Sequence, residues 1–312
     1  MRYDHPDSTV TACPLCGGSQ NHSVLPLGKA EGLERAACRC DGCGFVYMAP
    51  RLTNDYLNEY YGSAIVYAYG SDNPADYEAV IADKMGMVGK FVASVSDAPQ
   101  SGLAVDYGAG AGSTVKALSN LGFDAVGVEI SAKSRATATA LFGIDVRDGD
   151  LAQFADDSIA LLTMFDVMEH LLEPLAFAKQ LHGKIQPGGL VMIGVPNFNS
   201  LDRQVRGVNS QVMVFPEHVN HFTKSSLTRL MEMAGFDVRY IGSPPPYGVA
   251  ISLGIRRTMV KIFGRNVVTR ALSGALAQIK RYVVYPLPNL IVERSGLFGH
   301  SLLVLAQKRA PL

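Results

Sequence analysis

In the stretch "LAVDYGAGAGSTVKAL", residues 103–118, three glycines alternate with alanines between a short apolar run and a helical pattern. A dinucleotide fingerprint requires G-x-G-x-x-G, yet the place of its third glycine is held by Ser113. A triphosphate-cradling loop ends in Gly-Lys-Ser/Thr, and Lys116 comes too late for that. What remains is an acid, Asp106, then Gly108, Ala109, Gly110 and Gly112, then a helix start. Glycines remove the β-carbons that keep a ligand off the main chain. The N–H groups of a helix start suit a carboxylate as well as a phosphate. Glu129, 17 residues past Gly112 at the end of the next apolar run, can accept both hydroxyls of a ribose. Asp150 in "DGDL" can accept from an adenine amine. Together these residues call for an adenine nucleoside with a free diol and an amino-acid end, without phosphate to neutralise.

A second group could move protons. "FDVMEHLLEP" and "VFPEHVNHFT" place Glu169, His170, Glu217, His218 and His221 after the fourth and fifth apolar runs of the α/β pattern. Imidazole or carboxylate suits removal of a proton from a hydroxyl or carbon acid near neutral pH. His218 is the first candidate, with Glu217 beside it and His221 and His170 as alternatives. Each histidine also has a plainer reading, ordering its loop by bonding backbone, and His170 at a helix start fits that reading best. His218 and His221 with Glu217 could hold a metal, although a full ligand set is not evident from their spacing.

All five cysteines lie in the first 43 residues. "CPLCG" and "CDGCG" are two tight thiolate turns separated by 23 residues, the pattern of a tetrahedral four-cysteine zinc ribbon built from Cys13, Cys16, Cys40 and Cys43. Cys38 is the spare thiol and competes with Cys40. Doubling of the C-x-x-C pair argues against a redox couple. Four thiolates leave no open position on zinc, so the metal is structural.

These residues need elements to position them. From Leu103 onward, Val- and Ile-rich runs alternate with helical patterns, which signals a parallel sheet covered on both faces. Apolar residues at Tyr77, Ile81, Met85, Val88, Val92 and Val95 predict an amphipathic helix over 75–95. Thr223 is placed to cap the helix that follows "VFPEHVNHF". The boundaries read as a ribbon over 1–50, a tyrosine-rich linker and helix over 51–100, and an α/β domain over 101–312. Within that last domain, residues 244–296 form an insertion carrying eight basic residues against one acid. Its amphipathic pattern fits a solvated face, a homodimer contact, or a lid meeting an anionic or lipid-linked small-molecule acceptor, with peripheral contact to a membrane surface.

Composition narrows the class. The 312-residue chain is 48% hydrophobic and 18% charged with zero net charge, which is globular and unsuited to blanketing nucleic acid. The ribbon lacks the basic and aromatic surplus of a nucleic-acid binder. No secretion signal or membrane-spanning run is evident, so a cytoplasmic location is expected.

In order and spacing, "VDYGAGAGS", "VGVEIS", "DGDL", "FDVMEHLLEP" and "PGGLVMIGVPN" resemble the successive motifs of class I S-adenosylmethionine-dependent methyltransferases. S-adenosyl-L-methionine is the nucleoside just described. The resemblance implies a Rossmann-like seven-stranded sheet with its last strand antiparallel. It also implies that Asp106 and the glycine turn hold the methionine end and Glu129 the ribose, with Ile130 among the donor-binding residues. Asp150 and Leu151 would hold the adenine, while Phe165 and Asp166 would floor the pocket. The ribbon and "EYYGSAIVY" further resemble sugar C-methyltransferases, in which a histidine like His218 is the base. Here Phe215-Pro216 precedes the Glu-His pair in place of a tyrosine pattern. The expected acceptor is a hydroxyl or carbon of a sugar, nucleotide-sugar or lipid-linked glycan precursor. Quinone or polyketide O-methylation and an RNA-associated role are the alternatives.

Overall fold

The structure, a computed structural model, describes residues 12–53, 55–57, 60, 74–243 and 299–309. The basic insertion and most of the tyrosine-rich linker lie outside the described residues. Strands β1 (Asn21–Ala30), β2 (Leu33–Cys40) and β3 (Val46–Ala49) come first, then helix α1 (Pro74–Ala93). Next come β4 (Leu103–Tyr107), α2 (Ser113–Asn120), β5 (Asp124–Val128), α3 (Ala132–Phe142) and β6 (Val146–Arg147). After them run β7 (Ile159–Phe165), α4 (Pro174–Lys184), β8 (Ile185–Pro196) and α5 (Leu201–Arg206). Finally come β9 (Asn220–His221), α6 (Lys224–Met233), β10 (Phe236–Gly242) and β11 (Ser301–Lys308).

Seven strands form the main sheet in the order β10-β11-β8-β7-β4-β5-β6. Strands β4 to β8 pair in parallel, whereas β11 runs antiparallel to both β8 and β10. The expected seven-stranded α/β sheet with a reversed last strand is therefore present. Its core strands are apolar on both faces because helices cover both. Along β7, Leu161 belongs to one buried cluster and Leu162 to the other; Leu190, Val191, Met192 and Ile193 of β8 alternate in the same way. Helices α1 and α2 close one face with Val88, Phe91, Val92 and Leu118. The other face is closed by α4 and α6 with Phe177, Leu181, Leu227 and Leu230. Each such buried side chain contributes about 1.5–3 kcal/mol from apolar burial. α6 starts at a capping box between Thr223 and Ser226, so the predicted cap is present.

The chain leaves β4 in one direction through β5 and β6, then returns to β7 on the other side. Such a switch opens a crevice beyond the carboxyl ends of the strands. The ribbon strands form a second, antiparallel sheet, β1-β2-β3-β9, whose fourth strand comes from the loop after β8. Met48 N–H donates to the Val219 carbonyl at 2.8 Å. The Phe45 ring meets Phe222 at 5.3 Å, so the ribbon's apolar side chains merge with the core under α6.

Candidate active site

The turn after β4 is tied to the end of β5: Gly108 and Ala109 both donate their N–H to the Val128 carbonyl, at 2.8 and 3.0 Å. All three turn glycines have positive φ, +78° at Gly108, +52° at Gly110 and +81° at Gly112, where side chains are rarely tolerated. Their surroundings differ. A β-carbon on Gly108 would lie 2.3 Å from Val167 Cγ2, and one on Gly112 would lie 2.3 Å from Ile144 Cδ1. On Gly110 it would meet nothing within 4 Å. Two glycines therefore serve packing, and the third keeps main chain bare beside open space.

Glu129 closes this turn. Its Oε2 accepts from Gly110 N–H and its Oε1 from Ser131 N–H, both at 2.8 Å. Arg135 holds the carbonyls of Glu129 and Ile130 from behind, at 2.8 and 2.9 Å. Ile130 is 59% exposed, an apolar side chain presented at the rim. Asp150 caps a short turn by accepting from Ala152 N–H at 2.8 Å. The Leu151 side chain is fully buried, so any contact it makes with a ligand is through its main chain.

Beneath the turn, Asp106 is buried and accepts from the Thr163 hydroxyl at 2.7 Å. Burial raises its pKa to about 6, against the opposing pull of Thr163, Lys84 and Thr114. Lys84 reaches in from α1 with its Nζ 3.7 Å from the centre of the Phe165 ring. Burial lowers the pKa of this ammonium, while Asp106 and Asp166 oppose that shift. Asp166, just past the carboxyl end of β7, reaches solvent and holds a left-handed φ of +57°. Strained residues of this kind cluster at working sites. Burial raises its pKa, opposed by Lys84, His218 and His300.

The Asp106 shift has a stability consequence with a definite sign. The folded chain binds this proton more tightly than the unfolded chain does. Ionising the group therefore removes stability as pH climbs from the ordinary 3.8 through about 6. Asp106→Asn keeps an acceptor for Thr163 and has no charge to bury. Urea unfolding should show it more stable than wild type at pH 8, by up to about 3 kcal/mol, and similar at pH 4. A large loss of stability at pH 8 would contradict this reading of the buried carboxyl.

The proton-moving candidates divide. Glu169, His170 and His218 come together, with ligand-type atoms of all three within 4.8 Å of one another. The His170 and His218 rings lie 5.1 Å apart, and His170 Nε2 is 4.0 Å from Glu169 Oε1. His218 Nδ1 faces the Val212 carbonyl at 3.0 Å. A carbonyl only accepts, so the proton sits on Nδ1 and Nε2 keeps its lone pair in the neutral ring. Burial lowers the His218 pKa, and burial with His218 nearby lowers His170 to about 3. Glu169 is 1% exposed, and neither carboxylate oxygen has a hydrogen-bond partner among the described residues. Burial, then Asp166 and Glu217, push its pKa well up. Glu217 Oε1 accepts from the Tyr60 hydroxyl at 2.7 Å.

His221 stands apart from that group. It lies on β9 opposite Val46 of β3, buried against the Phe198 ring, in the seam between ribbon and main sheet. Burial, with His218 and Arg203 nearby, lowers its pKa to about 3. Phe215 packs toward the ribbon, where a β-carbon on Gly28 of β1 would sit 3.1 Å from its ring. That packing explains an apolar ring at a position where the resemblance suggested a tyrosine.

The four cysteine sulfurs form the other cluster. Cys13 and Cys43 sulfurs are 3.5 Å apart, as are those of Cys16 and Cys40, and all four lie within 4.8 Å. Ligands 2.3 Å from one tetrahedral ion are about 3.8 Å apart, so the set fits zinc. The two knuckles repeat one turn, with Gly17 N–H donating to Cys13 and Gly44 N–H to Cys40, each at 2.8 Å. Cys38 is buried on β2 outside this group, and burial raises its pKa.

Three contributors had weaker sequence signals. Lys84 sat inside an apolar helical pattern, and Thr163 inside an apolar strand run. Gly127 is needed because a β-carbon there would lie 2.8 Å from Ala109 of the turn. A lone glycine within a strand run is the kind of signal that can mark such a close approach.

Residues 86–241 match a family model described as a methyltransferase domain. A Mycolicibacterium smegmatis protein named "Probable S-adenosylmethionine-dependent methyltransferase" is 30% identical over 97 residues, which is 30% of this chain and 36% of that one. An uncharacterized methyltransferase of Mycobacterium leprae is 32% identical over 123 residues, 38% of this chain and 46% of that one. The chain spans about half or less of the length of these curated relatives. Among solved structures, phosphoethanolamine N-methyltransferase 2 of Haemonchus contortus, in complex with S-adenosyl-L-methionine, is similar in fold. The TM-score is 0.51 at 15% identity, over 82% of this chain and 60% of that one.

Proposed function

The chain belongs to the methyltransferase-domain family, and on that premise we propose that it moves a methyl group from S-adenosyl-L-methionine to a small molecule. The acceptor is an oxygen or carbon of a sugar, nucleotide-sugar or lipid-linked glycan precursor. The observation that carries the donor assignment is the Glu129 carboxylate bound to Gly110 N–H, beside the open space that a β-carbon on Gly110 would enter. Bare backbone and a carboxylate fit an amino-acid tail and a ribose diol, and exposed Ile130 suits the flat face of a base. Asp106, Gly108, Ala109, Gly110 and Gly112 would hold the methionine end and Glu129 the ribose. Ile130, Asp150 and the Leu151 main chain would hold the adenine, while Phe165 and Asp166 form the floor.

When bound, the donor supplies a methyl on a sulfonium, and the carbon–sulfur electron pair returns to sulfur as the methyl leaves. The chain's part is alignment, exclusion of water and removal of the acceptor's proton. The Glu217–His218 pair would take that proton, with Tyr60 holding Glu217 in place and Val212 fixing the His218 ring. His170 and Glu169 back the pair. His221 keeps the ribbon seam packed. Zinc on Cys13, Cys16, Cys40 and Cys43 would hold the ribbon and take no part in the chemistry.

His218→Ala is expected to bind the donor as wild type does. Its turnover should fall by about a hundredfold or more, read as label transferred from methyl-labelled donor into a fractionated small-molecule pool. Near-normal turnover would remove His218 from the reaction. Label arriving in RNA and in no small molecule would overturn the acceptor class.

A further inference from the structure

We propose that Glu169, His170 and His218 form a binding site for one divalent first-row metal ion, distinct from the four-cysteine site. Their donor atoms lie within 4.8 Å of one another. Nitrogen ligands about 2.1 Å from a common ion stand about 3.0–3.4 Å apart in octahedral or tetrahedral geometry, so side-chain adjustments on the order of an ångström close the set. Glu169 offers two buried carboxylate oxygens to which no described residue donates a hydrogen bond. A buried carboxylate without donors is costly, and coordination is one way to satisfy it. The His218 ring is already oriented, because the Val212 carbonyl takes its Nδ1–H and leaves the Nε2 lone pair for an ion. A backbone carbonyl behind a metal-binding imidazole is the usual way such a ligand is fixed.

The two segments that carry the ligands are stitched together. Val219 N–H donates to the Glu169 carbonyl at 3.0 Å. The Asn220 side chain donates to the Leu171 carbonyl at 2.6 Å and to the Met168 carbonyl at 3.4 Å. Residues 49 positions apart are thus held in register before any ion arrives. Two imidazoles and one carboxylate make a mixed nitrogen–oxygen set that suits manganese, iron, cobalt, nickel or zinc. Three protein ligands leave open positions, and Asp166 of the cleft lies close enough to act on both Glu169 and His218. Those positions would take hydroxyl or carbonyl oxygens of the acceptor; with its Nε2 on the ion His218 accepts no proton, and Glu217 alone of the proposed pair would receive it. That role rests on the methyltransferase reading; the binding of the ion does not.

The test uses the full chain with its cysteine site loaded with zinc, titrated with manganese(II) and followed by electron paramagnetic resonance of free manganese. One manganese per wild-type chain is expected, with affinity weakened about tenfold or more in Glu169→Gln and in His218→Ala. No binding by the zinc-loaded wild type overturns the proposal. So does equal binding by both variants, which places the ion elsewhere. Donor affinity measured by calorimetry on the same samples reports separately on the methyltransferase reading.

Discussion

Gly110→Val is expected to fold, keep its zinc and lose its methyl donor. The new β-carbon meets no protein atom within 4 Å, so the core is undisturbed. The left-handed backbone at φ +52° makes a branched side chain cost about 1–3 kcal/mol, a loss that a domain of this size can absorb. The side chain then occupies the space assigned to the donor and crowds the Gly110–Glu129 hydrogen bond. Calorimetry should show donor affinity reduced at least a hundredfold, or about 2.7 kcal/mol, beside a modest fall in melting temperature. Gly108→Val and Gly112→Val provide the contrast. They collide with Val167 and Ile144 and should unfold the domain instead. Unchanged affinity in folded Gly110→Val would mean that the open space beside the turn is not where the donor lies.

Removing zinc should abolish turnover while sparing most donor binding. Structural zinc sites contribute about 10–16 kcal/mol in small zinc peptides, and in the ribbon the ion would pin the two cysteine knuckles that flank the β1–β2 hairpin. Its strand β3 pairs with β9, and Phe45 packs on Phe222. Loss of the ribbon therefore releases the segment carrying Glu217 and His218. The glycine turn and Glu129 belong to the other sheet and hold their place through β4 and β5. Cys40→Ser should accordingly contain less than stoichiometric zinc and exchange amide hydrogens rapidly over 217–222. It should transfer methyl groups at a small fraction of the wild-type rate, with donor affinity within about tenfold of wild type. Full turnover by the zinc-free chain would uncouple the ribbon from the reaction.

Much of this was legible in the sequence because local patterns and tertiary environment agree. β7 and β8 read as buried strands since both of their faces are covered, and the Tyr77–Val95 spacing marked a helix over 75–95 that runs Pro74–Ala93, ending before Val95. Glu129 could be placed beside the turn because parallel neighbours end at the same sheet edge. The ribbon strands were harder to see. β1, "NHSVLPLGKA", has no clean alternation, and its ladder with β2 is shifted twice. The two-residue β9 is a strand only because β3 lies next to it. Lys84 looks like any lysine on an amphipathic helix until α1 is laid across Phe165. Nor could spacing join Glu169 to His218, since loop-to-loop hydrogen bonds bring them together.

Every role proposed for this chain depends on a sulfonium nucleoside lying at the edge of the seven-stranded sheet, between the glycine turn and Glu129. Titrating the wild-type chain with S-adenosyl-L-methionine in a calorimeter, alongside Glu129→Ala, tests it most directly. One site per chain is expected, weakened at least tenfold when the carboxylate that meets the ribose is gone. A wild-type chain that binds none, or a Glu129→Ala chain that binds as well as wild type, would mean that the donor does not lie there.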